Sequence, residues 1–208
     1  MLRLADGNRM AGPTQALPEM FKSVFESVAR KSGLTGDEVE TLWPKFEKFY
    51  QKLSLGDTGI GELINDTADL QIRGAATVSG KFKNLWLSAQ KGTDPELIAK
   101  NLAAVLAHEA GHTMEHLYNQ GKLTGTAKQA YERLLAWREK TSLPELQKTL
   151  RHAAETLLPA EWQKSDALRE MLNTTDGEEA HATLQGIFSL SNFIKESGDI
   201  SLSAASMP

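Results

Sequence analysis

The chain has no cysteine, which excludes disulfides, cysteine-built zinc ribbons and thiol catalysis, and leaves any zinc to be held by His, Asp or Glu. It has no run of lysine and arginine, and its formal net charge is −4. No general field draws in nucleic acid, and no nucleic-acid partner is expected. No apolar stretch reaches the roughly 18 residues of a membrane span, and the opening residues, Met1 to Arg9, lack the apolar centre of a signal peptide. The expectation is a soluble chain with no membrane partner, in a compartment the sequence leaves open.

What is present is ordinary globular material. With 208 residues, 40% of them hydrophobic and 24% charged, the chain can bury the core of one domain. Residues 1–16 read as a flexible lead-in broken by Gly7, Gly12 and Pro13, residues 17–200 as a single domain whose part 17–54 is helical, and residues 201–208 as a flexible tail. Both ends are polar and rich in small residues, as in a module cut from a longer polypeptide.

Periodicity places the elements. Met20, Phe21, Val24, Phe25 and Val28 recur at helical spacing after Pro18, and Gly33 stops that helix. A second helix starts near Thr35, whose spacing to Glu38 is that of a capping box, and carries Val39, Leu42, Phe46, Phe49 and Leu53, with Pro44 as a point of kinking. Apolar residues so spaced are what a buried helix face looks like, so they are read as core rather than as a ligand cage. The glycine-rich Gly56–Gly61 lacks a preceding strand and a closing Lys-Ser/Thr, and is read as a loop and not a phosphate cradle. In Phe82–Ala89, Phe82 and Trp86 fall on one face and Leu85 and Leu87 on the other, between Gly80 and Gly92, as in a strand.

A long central helix follows, with Asp94 as N-cap, Pro95 at its first position and Gly121 at its end. Ile98, Leu102, Val105, Leu106 and Leu117 make its buried stripe, while Ala103, Ala104, Ala107, Ala110 and Gly111 keep it slim enough for a neighbouring backbone to come close. This helix carries His108-Glu109-Ala110-Gly111-His112. The pattern H-E-x-x-H puts two imidazoles four apart on one helix face, with a carboxylate next to the first. About one chain of this length in a few hundred would carry it by composition alone, so its context decides its meaning.

On a long helix preceded by a short strand, this motif resembles the zincin metallopeptidases. The resemblance covers the strand, the motif helix and one later helix. It implies a Zn²⁺ held by His108 and His112, with Glu109 as the general base acting on the attacking water. The third His of the metzincin pattern is missing, since position 115 is Glu and 118 is Tyr. His116 continues the same helix, and about 12 Å of rise from 108 to 116 is too far for one ion, so it is read as a supporting residue.

A third ligand must come from another segment if a fourth position is to stay open for water. Downstream, Asp176 or Thr175 caps a helix with Glu178 and Glu179 in its first turn, followed by a stripe at Leu184, Ile187, Phe188 and Ile194. Glu179-Ala-His-Ala182 is similar to the E-x-x-A around the ligand of gluzincin families, where an acid often stands four residues on and this chain has Thr183. Glu179 is preferred as the third ligand, ahead of Glu178, His181 and Asp176, with Thr183 available to orient it. Glu178 and Glu179 point about 100° apart, so at most one of the two reaches the metal. Residues 126–172 are read as helical scaffold punctuated by Pro144 and Pro159, and Tyr118, Tyr131, His152 and His181 are candidates for stabilising the oxyanion.

The combined expectation is a mostly α-helical α+β fold with a small β-sheet edge beside the motif helix. Its function would be that of a zinc metallopeptidase, an endopeptidase acting on protein or peptide. The alternative is a catalytically silent zincin fold serving as a binding or structural module.

Overall fold

The structure, a computed structural model, describes residues 29–52, 94–174 and 176–202, together with Lys22, Phe25 and Glu26 ahead of them. The predicted strand Phe82–Ala89, the Gly56–Gly61 loop, residues 1–16 and residues 203–208 lie outside the described residues. Within them the chain is mostly helical and has no strand.

Helix boundaries follow local chemistry. The stretch containing Phe25 and Ala29 ends where Leu34 N–H donates to the Ala29 carbonyl and Gly33 N–H to that of Arg30. That double closure needs a left-handed residue, and Gly33 has φ 106°. Helix α1 (Gly36–Lys52) then opens on the expected capping box: Thr35 N–H donates to Glu38 Oε2 at 2.7 Å, and Glu38 N–H to Thr35 Oγ1 at 3.3 Å. Val39, Leu42, Phe46 and Phe49 are buried. Phe46 lies 4.6 Å from Phe25 between ring centroids, and Phe49 lies 4.9 Å from Phe193. These aromatics are core.

Helix α2 (Pro95–Asn119) is the central element. Asp94 caps it by accepting from Glu96 N–H at 3.0 Å, and Gly121, at φ 71°, closes it with a bond from its N–H to the Tyr118 carbonyl. From Ile98 to Val105 every residue is buried, so this helix has neighbours on all sides. Buried Lys100 meets Asp199 at 3.5 Å and Glu96 at 3.7 Å and lies over the Trp162 ring. The Trp162 indole N–H donates to the same Asp199, which ties the C-terminal segment to the start of α2. Ile200 and Ser201 are buried there, so packed chain continues into the stretch expected to be tail.

The predicted scaffold of residues 126–172 resolves into α3 (Gly125–Lys140), α4 (Leu143–Leu157), a 3₁₀ turn (Ala160–Lys164) and α5 (Asp166–Met171). Pro144 sits in the first turn of α4, where a missing N–H costs nothing, and Pro159 precedes the 3₁₀ turn. Helix α6 (Gly177–Ser197) starts at Asp176, which accepts from Glu179 N–H at 2.9 Å. Leu184 and Ile187 are buried as expected, but Phe188 is 40% exposed. Four residues beyond Leu184, it turns about 40° toward the flank that carries Asn192 and Lys195, and Leu190 and Phe193 take its place in the core.

Helices α2 and α6 are pressed together at two glycines. A Cβ on Gly111 would stand 2.5 Å from the Ala182 carbonyl oxygen, and one on Gly186 would stand 3.0 Å from the Ala107 carbonyl carbon. Since 111 meets 182 while 107 meets 186, the two helices pass in opposite senses. Each offers a pair of small residues four apart, Ala107 with Gly111 and Ala182 with Gly186, so a low ridge on one seats against the other.

Gly111→Ala is expected to destabilise the protein. Alanine gains up to about 1 kcal/mol in helix propensity, but the clash is with backbone that no rotamer change can relieve, and overpacking of this kind costs about 1–3 kcal/mol or more. Urea unfolding checks the sign: an unchanged or raised midpoint would mean that the two backbones are not in direct contact.

Candidate metal centre

The crossing of α2 and α6 brings the predicted ligands together. His108 and His112, one turn apart on α2, have their Nε2 atoms 3.1 Å from each other. Glu179, 71 residues after His108, sits in the first turn of α6 with Oε2 at 3.0 Å from His108 Nε2 and 3.5 Å from His112 Nε2. A tetrahedral zinc with bonds of about 2.0–2.1 Å holds its ligand atoms about 3.3–3.4 Å apart, and these three spacings bracket that value. The donor set of two imidazoles and one carboxylate also suits the ion.

Electrostatics point the same way. Two ring nitrogens and a carboxylate oxygen are all acceptors when bare, and at 3.0–3.5 Å they repel one another unless a cation, a metal ion or a proton, lies among them. The His108 side chain is 8% exposed, while those of His112 and Glu179 are 29% and 31% exposed. The group has one wall in the core and one side toward solvent.

The other expected residues separate cleanly. Glu178 is exposed, and Asp176 is engaged as the helix cap. His181, two residues past Glu179, is buried with its ring stacked on Tyr131 at 4.7 Å, and burial pushes its pKa down to about 4, with Arg138 adding to the shift. Thr183 does not serve the role expected of it. Its hydroxyl lies 3.1 Å from Nδ1 of His108 and so addresses a histidine ring rather than the Glu179 carboxylate. On a helix Thr183 is on the face of Glu179, but the imidazole of the crossing helix comes in between.

Of the oxyanion candidates, His181 also feels the charge of His112. Tyr131 is buried beside Glu115, and burial together with that carboxylate holds its phenol well above the usual range. Tyr118 reaches Glu132 at 3.4 Å, and His152 is exposed on α4. The backbones of Glu109 and His116 belong to α2, while their side chains lie outside the described residues. Gly186 was not singled out beforehand. Its signal was the small-residue pair it makes with Ala182, matching Ala107 and Gly111.

No family model, no curated protein and no solved structure matches this chain. Its function must therefore be argued from the site.

The two neighbouring glutamates provide the test of the ligand assignment. Glu179→Ala is expected to weaken Zn²⁺ binding by at least about 100-fold in a chelator competition, since it deletes one of three protein ligands, while Glu178→Ala leaves binding within about twofold. A large loss in Glu178→Ala alone, or in neither variant, would show the assignment to be wrong.

Proposed function

We propose that the chain is a zinc-dependent metallopeptidase that cleaves peptide bonds within protein or peptide substrates. The observation that carries this reading is the convergence of His108 Nε2, His112 Nε2 and Glu179 Oε2 from two different helices, all within 4.8 Å of one another. Those three residues would hold the ion and leave a position free for the reacting oxygen.

When bound, zinc supplies Lewis acidity, polarising the scissile carbonyl and bringing the pKa of the attacking water toward neutrality. Glu109, one residue past His108 and about 100° around α2, is the general base of this reading. Its carboxylate takes the water's proton and delivers it to the departing nitrogen. The buried flank of the site, formed by His108 and Thr183, keeps solvent from the ligand side and leaves the half-exposed edge at His112 and Glu179 for substrate.

The same reading makes the fold zincin-like and of the gluzincin type, with Phe82–Ala89 as the sheet edge against which an extended substrate pairs by its backbone. Among the described residues no helix is long and apolar enough to cross a membrane.

About one Zn²⁺ per chain is expected by elemental analysis, and Glu109→Gln should keep that zinc and the fold while losing about 10²–10⁴-fold in hydrolysis of an unstructured protein substrate. Equal rates for parent and variant would remove Glu109 as the base. If both bind zinc and neither cleaves, the chain is a metal-bearing binding module and not a peptidase.

A further inference from the structure

We infer that Thr183 is the positioning residue that holds the His108 ring for zinc, its hydroxyl accepting from Nδ1–H when Nε2 faces the ion; the inference rests on the zinc reading of the site. A neutral imidazole carries its proton on one nitrogen, and the partner of the other nitrogen decides which one can bind a metal. His108 points Nε2 at Glu179 and His112, and Nδ1 at the Thr183 hydroxyl 3.1 Å away. With Nε2 on the ion the ring proton is on Nδ1 and the hydroxyl oxygen accepts it; without the ion the same hydroxyl can accept from Nδ1–H or donate to a bare Nδ1, so the ring keeps its partner in both states.

The burial of this pair gives the contact its weight. Both residues are buried, so solvent cannot take over the role of the hydroxyl. His112 differs in this respect, because its partly exposed ring is within reach of water. Thr183 also comes from α6, the helix that supplies Glu179. One helix therefore provides a ligand and fixes a second ligand that belongs to α2, and both contacts depend on the close approach at Gly111 and Gly186.

Removing the hydroxyl should act on zinc and not on the fold. In a Thr183→Val protein without metal, the His108 proton can move to Nε2 and be donated to Glu179 Oε2, 3.0 Å away, leaving only a bare nitrogen at Nδ1. Binding zinc then requires the proton to return to Nδ1, where it has no acceptor. Loss of a hydrogen bond to a metal-ligating histidine typically costs about 10–100-fold in metal affinity.

The experiment is Zn²⁺ titration against a chromophoric chelator for the parent, Thr183→Val and Thr183→Ser, with thermal unfolding of each metal-free protein. The expected result is an affinity loss of about 10–100-fold in Thr183→Val, near-complete rescue in Thr183→Ser, and metal-free unfolding temperatures that match the parent. Parental affinity in Thr183→Val would overturn the inference, as would a matching loss in Thr183→Ser. A parent protein that fails to bind Zn²⁺ would instead overturn the zinc reading itself, so the two failures are distinct.

Discussion

The close passage of α2 against α6 is the contact on which the rest depends. At Gly111 and Gly186 backbone meets backbone, and a single methyl group on either glycine would stand 2.5–3.0 Å from an atom of the other helix. Side chains reaching only a few ångströms can then bridge the two helices. Glu179 is short of the histidines at any wider separation, and the hydroxyl of Thr183 is shorter still. The grouping of His108, His112 and Glu179 is in this sense a product of two missing Cβ atoms.

Around that contact the fold supplies rigidity. His108 and His112 lie in the middle of a helix capped at Asp94 and closed at Gly121, with buried neighbours along much of its length. Glu179 lies at a helix start, where backbone flexibility would be greatest, but its own N–H is held by Asp176. The cap that satisfies the backbone also holds the carboxylate in position. Such support matters in a group whose members repel one another unless a metal ion or a shared proton lies among them. The adjoining Tyr131, His181, Glu115 and Arg138 cluster packs the next layer, with His181 held neutral by burial.

Much of the helical frame was legible from residues that act locally. Thr35 with Glu38, Asp94 with Pro95, Gly33 and Asp176 each start or stop a helix through hydrogen bonds that span four residues or fewer, or through a backbone angle that suits glycine. The aromatic stripe of α1 followed from period alone. Phe188 did not, because a stripe read by eye is wider than the face that a neighbouring helix covers, and a turn of 40° was enough to leave it outside.

The sequence by itself determined that His108 and His112 share a helix face, since a period of 3.6 residues admits no other arrangement, and that a capped helix downstream offers two adjacent carboxylates. The packing of α6 on α2 decided which of the two lies beside the histidines. Glu178 and Glu179 have the same chemistry and differ by 100° in direction, and that direction has meaning only relative to the line along which α6 meets α2. The crossing also decided that Thr183 serves His108 instead of Glu179. Hydrogen bonds within one helix turn are written into neighbouring residues, whereas contacts between helices depend on how closely and at what rotation two surfaces seat, a property of both surfaces together.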